Sequence, residues 1–127
     1  MSNSLNDKPR VLVVEDEFLI RLTLMEALGD EGFEVLEAET ADAALPILLG
    51  DPSIRLLLTD IQLPGTLNGR SLVNRVRVDR PDLPVLFITG RPDPAEEAQA
   101  SPLDCYIAKP YALNDICVAV RRLAGAA

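Results

Sequence analysis

Residues 54–60 read Ile54-Arg55-Leu56-Leu57-Leu58-Thr59-Asp60, and Leu63-Pro64-Gly65 follows almost at once. A short apolar run that ends on a carboxylate and then a turn is the pattern of a strand buried on both faces, as parallel strands are. Three further runs are built the same way. Val11–Val14 leads into Glu15-Asp16, Val85–Ile88 into Thr89, and Cys105–Ala108 into Lys109-Pro110. Helical patterns separate them, so the runs are expected to lie parallel in one open α/β sheet. Ligands of such sheets gather beyond the carboxyl ends of the strands. Three carboxylates, a hydroxyl and an ammonium are therefore expected in a single crevice.

The intervening segments complete five βα units. Arg10–Glu15 reads as the first strand and Asp16–Gly29 as a helix with Ile20, Leu24, Ala27 and Leu28 on its inward stripe. Gly32 breaks the chain before a strand over Phe33–Ala38. Thr40 is the expected cap of a second helix running to about Leu49 and closed by Gly50, with a kink expected at Pro46. After the strand Ile54–Asp60, a loop over 63–69 leads to a helix with Leu72, Val73 and Val76 inward and Arg70, Arg75, Arg77 and Arg80 outward. Leu83–Thr89 is the fourth strand. Asp93-Pro94 caps a helix that Ser101-Pro102 limits to about two turns. Leu103–Ala108 is the fifth strand, and a helix over Leu113–Leu123 buries Ile116, Cys117, Val120 and Leu123. Residues 1–9 are polar and aperiodic and are expected to be a mobile tail. Residues 10–124 form the single domain, and no further output domain is expected.

Composition narrows the function classes. The chain has 127 residues, 48% of them hydrophobic, which is enough for one packed domain. Net charge is −8, the wrong sign for a protein that neutralises nucleic-acid phosphates, so no nucleic-acid partner is expected. No apolar run approaches the ~20 residues of a membrane span, and Met1–Arg10 lacks an apolar secretory segment, so a cytoplasmic location is expected. The start at Met1 and the short tail beyond the last helix lead us to expect an intact protein. Two cysteines cannot make a disulfide framework, and Cys105 and Cys117 are expected to be buried thiols. The chain has no histidine, so any phosphohistidine must belong to a partner.

Five landmarks in this order resemble the receiver (response-regulator) domain of two-component signalling, over nearly the whole chain. The resemblance implies a flavodoxin-like, doubly wound sheet of order 2-1-3-4-5 with five helices. It implies Glu15 and Asp16 as the acidic metal-binding pair, Asp60 as phosphoacceptor, Thr89 as the phosphoryl-binding hydroxyl, Lys109 as the lysine of the site and Tyr106 as the switch aromatic. It adds the backbone carbonyl of Gln62 as a metal ligand. The implied partners are a sensor histidine kinase or a histidine-phosphotransfer protein, and the implied cofactor is Mg2+ or Mn2+. Three departures stand out. Glu replaces Asp at 15, the loop from Asp60 to Gly69 is one residue longer than usual, and the helix after Thr89 is short.

The residue types suit that chemistry. An aspartate oxygen can attack phosphorus to give an acyl phosphate. Three crowded carboxylates repel one another, and a hard dication relieves the repulsion. Lys109 and Thr89 can meet the phosphoryl oxygens, and Gly90 leaves room for the group. Gln62 and Arg91, two residues beyond Asp60 and Thr89, are candidates to lean over the phosphoryl group and lengthen its lifetime, with an Arg91 that simply points into solvent between Gly90 and Pro92 as the plainer reading. Each residue alone has a plainer reading: Asp16 as a helix cap, Asp60 as turn chemistry, Thr89 as a strand-end hydroxyl and Lys109 as a solvated charge. Taken together they favour a phosphoaccepting switch or a relay shuttle that catalyses only its own phosphorylation and dephosphorylation.

Other readings remain open. The chain could be the receiver of a hybrid histidine kinase. An aspartyl-phosphate phosphatase would want a second acid where Gln62 stands, and a flavin module would want a glycine- and hydroxyl-rich first loop. Finally, Phe18, Leu22 and Met25 make a second apolar stripe on the first helix. A partner-docking face, a weak homodimer contact and ordinary exposed surface are the readings it leaves open.

Overall fold

The computed structural model describes residues 8–125, so the first seven residues of the expected tail lie outside the described residues. Pro9, placed in that tail by the sequence, is buried, and its carbonyl accepts the Glu34 N–H at 2.9 Å. Packing thus begins one residue before β1.

The elements alternate as β1 Arg10–Val14, α1 Phe18–Asp30, β2 Glu34–Ala38, α2 Ala41–Gly50, β3 Ile54–Asp60, α3 Gly69–Val76, β4 Val85–Thr89, α4 Pro94–Ala98, β5 Asp104–Ala108 and α5 Leu113–Ala124. The five strands form one parallel sheet of order β2-β1-β3-β4-β5, the order that the resemblance implies. β3 is central because its side chains are buried on both faces, Arg55 excepted.

The period of two sorts the strand residues into two cores. On one face Val11, Val13, Leu56, Leu58, Leu86 and Ile88 meet Leu24 and Leu28 of α1 and Ile116 and Val120 of α5. On the other, Leu12, Val14, Leu57, Val85 and Phe87 meet Ala44 and Leu48 of α2 and Leu72, Val73 and Val76 of α3. With the strands walled by helices on both sides, polar residues that follow them can only emerge at the strand ends.

Local chemistry sets the boundaries. α1 starts at Phe18 and not at Asp16, because Glu17 stays extended and its N–H bonds Glu15 Oε2 at 2.9 Å, making a turn of the residues expected to be helical. Thr40 caps α2 through the Ala43 N–H at 3.0 Å. The helix runs on through Pro46, which lacks the N–H of one intrahelical bond. Asn68 caps α3 through the Ser71 N–H at 2.8 Å. Asp93 caps α4, which has five residues and buries none of them.

Two expectations need correction. Of the four arginines assigned to the outer face of the third helix, Arg75 is exposed and the others fold back. α3 ends at Val76, so Arg77 lies beyond it and reaches Asp104 Oδ1 at 2.6 Å and the Leu83 carbonyl at 2.9 Å. Arg80 donates to the Ile54 carbonyl at 2.5 Å, and Arg70 lies over the ring of Phe87. Long arginine stems can cover apolar surface while their heads find acceptors. Cys105 is half-buried, because β5 is an edge strand, and its Sγ lies 3.3 Å from Arg122 Nη2. Cys117 is buried as expected.

Candidate functional site

Register brings the landmarks together. Asp60 pairs with Ile88 and Thr89 with Ala108 across neighbouring strands. The Lys109 N–H then bonds the Thr89 carbonyl at 2.8 Å, and the Glu15 N–H bonds the Ala38 carbonyl at 3.1 Å. The ends of β1, β3, β4 and β5 therefore open on one crevice.

Asp60 sits at its floor, 3% exposed. Its Oδ1 accepts the Gln62 N–H at 2.9 Å, and its Oδ2 pairs with the Lys109 ammonium. Burial pulls the Lys109 ammonium down, but the hydrogen bond and charge of Asp60, followed by the charge of Glu15, outweigh it and hold the group above its ordinary value. Two further contacts brace the Asp60 peptide. Thr59 Oγ1 donates to the Asp60 carbonyl at 3.0 Å, and Gly69 packs against that carbonyl so closely that a Cβ there would lie 2.3 Å from the oxygen.

Glu15 is buried beside Asp60. Burial is the largest influence pushing its carboxyl up to about 7; the Asp16 carboxyl and the charge of Asp60 add to it, while the Glu17 N–H and Lys109 act the other way. The Asp16 side chain is exposed at the rim. Among the described residues no three His, Cys, Asp or Glu side chains are gathered closely enough to cage a metal as they stand. Both Asp60 oxygens are engaged and Glu15 turns back on its own loop. The donor set nonetheless fits a hard dication, being all oxygen and crowded with negative charge that a cation would relieve.

Thr89 is buried, and its Oγ1 accepts the Arg91 N–H at 2.9 Å and lies 3.3 Å from Gln62 Nε2. Gln62 therefore reaches from the loop after β3 to the hydroxyl. Arg91 takes part through its backbone, and its side chain is exposed. Tyr106 is half-buried, stacks on Phe87 and accepts a hydrogen bond from Arg70. On α1, Phe18 is 62% and Leu22 38% exposed, whereas Met25 is half-buried. Leu19, absent from the expected stripe, is exposed beside them.

Four contributors escaped the sequence reading. Tyr111 follows Lys109-Pro110, whose peptide is cis; it packs against the core beneath α5, and burial and then the charge of Glu15 raise its hydroxyl. The signal was only an aromatic two residues past the lysine. Gly69 and Arg70 lie at the start of α3, with no pattern to single them out. Arg21 was legible, because it falls on the inward stripe with Leu24 and Leu28, three and seven residues ahead of them.

The comparisons with known proteins agree with this geometry. The family model described as the response regulator receiver domain matches residues 11–121. The aerobic respiration control protein ArcA of Escherichia coli is 33% identical over 117 residues, covering 91% of this chain and 48% of that protein. The transcriptional regulatory protein AruR of Pseudomonas aeruginosa is 41% identical over 111 residues, covering 80% and 43%. The chain thus spans about half the length of the curated relatives it matches. Among solved structures, a CheY-like receiver domain protein from Methanospirillum hungatei superposes with a TM-score of 0.81 at 27% identity, covering 91% of this chain and 93% of that one. The receiver domain of the hybrid histidine kinase CckA gives 0.76 at 30% identity, covering 90% and 97%.

Proposed function

Because the chain belongs to the response regulator receiver domain family, we propose that it accepts a phosphoryl group from a phosphohistidine donor onto Asp60 and passes the change on through protein contacts. Such domains are signalling modules. The observation that carries the proposal is the buried Asp60 carboxylate paired with Lys109 and flanked by Glu15 at one crevice of strand ends.

In the transfer an Asp60 oxygen bonds to phosphorus as the donor's P–N bond breaks, and the electron pair leaves with the imidazole. Lys109, freed from Asp60 Oδ2, follows the charge onto the phosphoryl oxygens. Thr89 exchanges its Gln62 contact for a phosphoryl oxygen, and Tyr106, on the neighbouring strand, shifts with it. Mg2+ (or Mn2+), held by Glu15, Asp16, Asp60 and the Gln62 carbonyl, would supply charge neutralisation at those oxygens. The output is a population shift that favours or releases a protein partner, or else onward transfer in a relay. The chemistry is the same for a module working alone and for one inside a hybrid kinase.

Phe18 and Leu22 are the surface proposed for docking the phosphohistidine partner, a sensor kinase or a phosphotransfer protein, or for a weak homodimer. Among the described residues no helix is long and apolar enough to cross a membrane.

Incubation with acetyl phosphate and Mg2+ followed by intact-mass measurement tests the reading. The wild type is expected to gain one phosphoryl group and Asp60→Asn none; uptake by the variant would place the acceptor elsewhere. Mg2+ is expected to raise the melting temperature of the wild type more than that of Asp16→Ala, and equal shifts would remove the metal site. Phe18→Ser with Leu22→Ser is expected to slow transfer from a phosphohistidine partner but not from acetyl phosphate.

A further inference from the structure

We infer that Arg21 is a positioning residue for the acidic end of β1, holding the peptide between Glu15 and Asp16 from which both carboxylates project. The inference rests on the receiver reading above and adds a residue outside the crevice to it.

Arg21 is a cation where the helix pattern calls for an apolar side chain, and it is only 9% exposed. A buried guanidinium is unfavourable unless its donors find acceptors. It has two. Nε bonds Glu37 Oε1 near the end of β2 at 2.7 Å, and Nη1 bonds the Glu15 carbonyl at 2.8 Å. The ring of Phe18 covers the guanidinium at 5.6 Å.

The Glu15 carbonyl belongs to the same peptide plane as the Asp16 N–H. It lies ahead of α1, and among the described residues its hydrogen-bond donor is Arg21. The N–H of Glu15 is tied to the Ala38 carbonyl. Glu15 is therefore held at both its amide and its carbonyl, the second time by the Arg21 side chain itself. The Asp16 carboxylate is exposed, so the backbone beneath it is what directs it. Groups that hold a metal ligand in its orientation are commonly worth about 10–100-fold in metal affinity.

The test compares Arg21→Met, Arg21→Lys and Glu37→Ala with the wild type. Two readings are taken for each: the melting-temperature shift caused by Mg2+ alone, and the Mg2+ concentration giving half-maximal phosphoryl uptake from acetyl phosphate. Arg21→Met is expected to shrink the melting shift and to raise the half-saturating Mg2+ about tenfold, with a smaller change in the uptake rate at saturating Mg2+. Glu37→Ala, which loses the ion pair to β2 but keeps the donor on Glu15, is expected to lower the basal melting temperature and leave the Mg2+ requirement near the wild type's.

Should Arg21→Met not melt cooperatively, Arg21→Lys carries the test, because one ammonium cannot fork across both acceptors. A smaller rise in the Mg2+ requirement is then expected, and no rise overturns the inference. Glu37→Ala matching Arg21→Met in Mg2+ requirement also overturns it, since fastening α1 to β2 would then be the whole effect. A wild type that takes up no phosphoryl group overturns the receiver reading and this inference together. Normal wild-type uptake with an unchanged Mg2+ requirement in the arginine variants overturns the inference alone.

Discussion

Arg70 lays its guanidinium 4.5 Å from the centroid of the Phe87 ring. Tyr106 stacks on the same ring at 5.0 Å with the planes 22° apart, and its hydroxyl accepts from Arg70. The same guanidinium pairs with Glu96 of α4. One side chain at the start of α3 thus touches the aromatic residue on β5 and a helix that buries none of its own residues.

Arg70→Met is expected to lower stability by about 0.5–2 kcal/mol, the range of a partly desolvated cation–π contact, and to speed hydrogen exchange across α4 beyond that global change. The Tyr106 ring, followed by NMR in a Tyr111→Phe background, is expected to become more mobile. If α4 exchanges at the wild-type rate, the tie to Arg70 is not what holds that helix.

Two glycine substitutions should act in opposite directions. A Cβ on Gly69 would meet the Asp60 carbonyl at 2.3 Å, and relief requires backbone movement under the phosphoacceptor. Gly69→Ala is expected to cost about 1–3 kcal/mol and to slow phosphoryl uptake. Gly29 lies within α1 with nothing within 4 Å of a Cβ. Gly29→Ala is expected to add about 0.5–1 kcal/mol. Urea unfolding of both variants checks the pair of signs.

The thiols are expected to differ in reactivity. Burial raises the Cys117 thiol above its ordinary value and seals it between α5 and the sheet, whereas Cys105 is half-buried beside Arg122. A thiol reagent followed by peptide mass mapping should label Cys105 first. Equal labelling of the native protein would show that α5 opens more readily than its packing implies.

Phosphoryl lifetime should depend on Gln62 more than on Arg91. The Gln62 amide reaches the Thr89 hydroxyl, so it stands beside the space a phosphoryl group would fill. Arg91 contributes its backbone N–H, which any residue but proline supplies. After donor removal, Gln62→Ala is expected to lose the phosphoryl group faster than the wild type, and Arg91→Ala to decay much as the wild type does. The opposite ranking would assign the shielding to the arginine.

Sequence alone determined the alternation of strands and helices and the polar residues that close β1, β3, β4 and β5; the strand order came from the resemblance. Apolar runs ending on Asp60, Thr89, Glu15-Asp16 and Lys109 report burial directly. Once such runs must lie parallel, their polar ends have nowhere else to emerge. The caps Thr40 and Asp93 were legible for a similar reason, because their effect is confined to the next turn. Only the tertiary structure decided where the long polar side chains go. Lys109 meets Asp60 across 49 residues and Gln62 meets Thr89 across 27. Arg70 and Arg77 turned inward although helix periodicity pointed them to solvent. A flexible stem of several bonds follows the nearest acceptor or ring, and that partner comes from another strand. Gly69 shows the same limit in the backbone: its need for a bare Cα comes from a carbonyl nine residues earlier, brought against it when the loop after β3 folds back. Patterns along the chain record which residues leave water; contacts between distant segments record which of them meet.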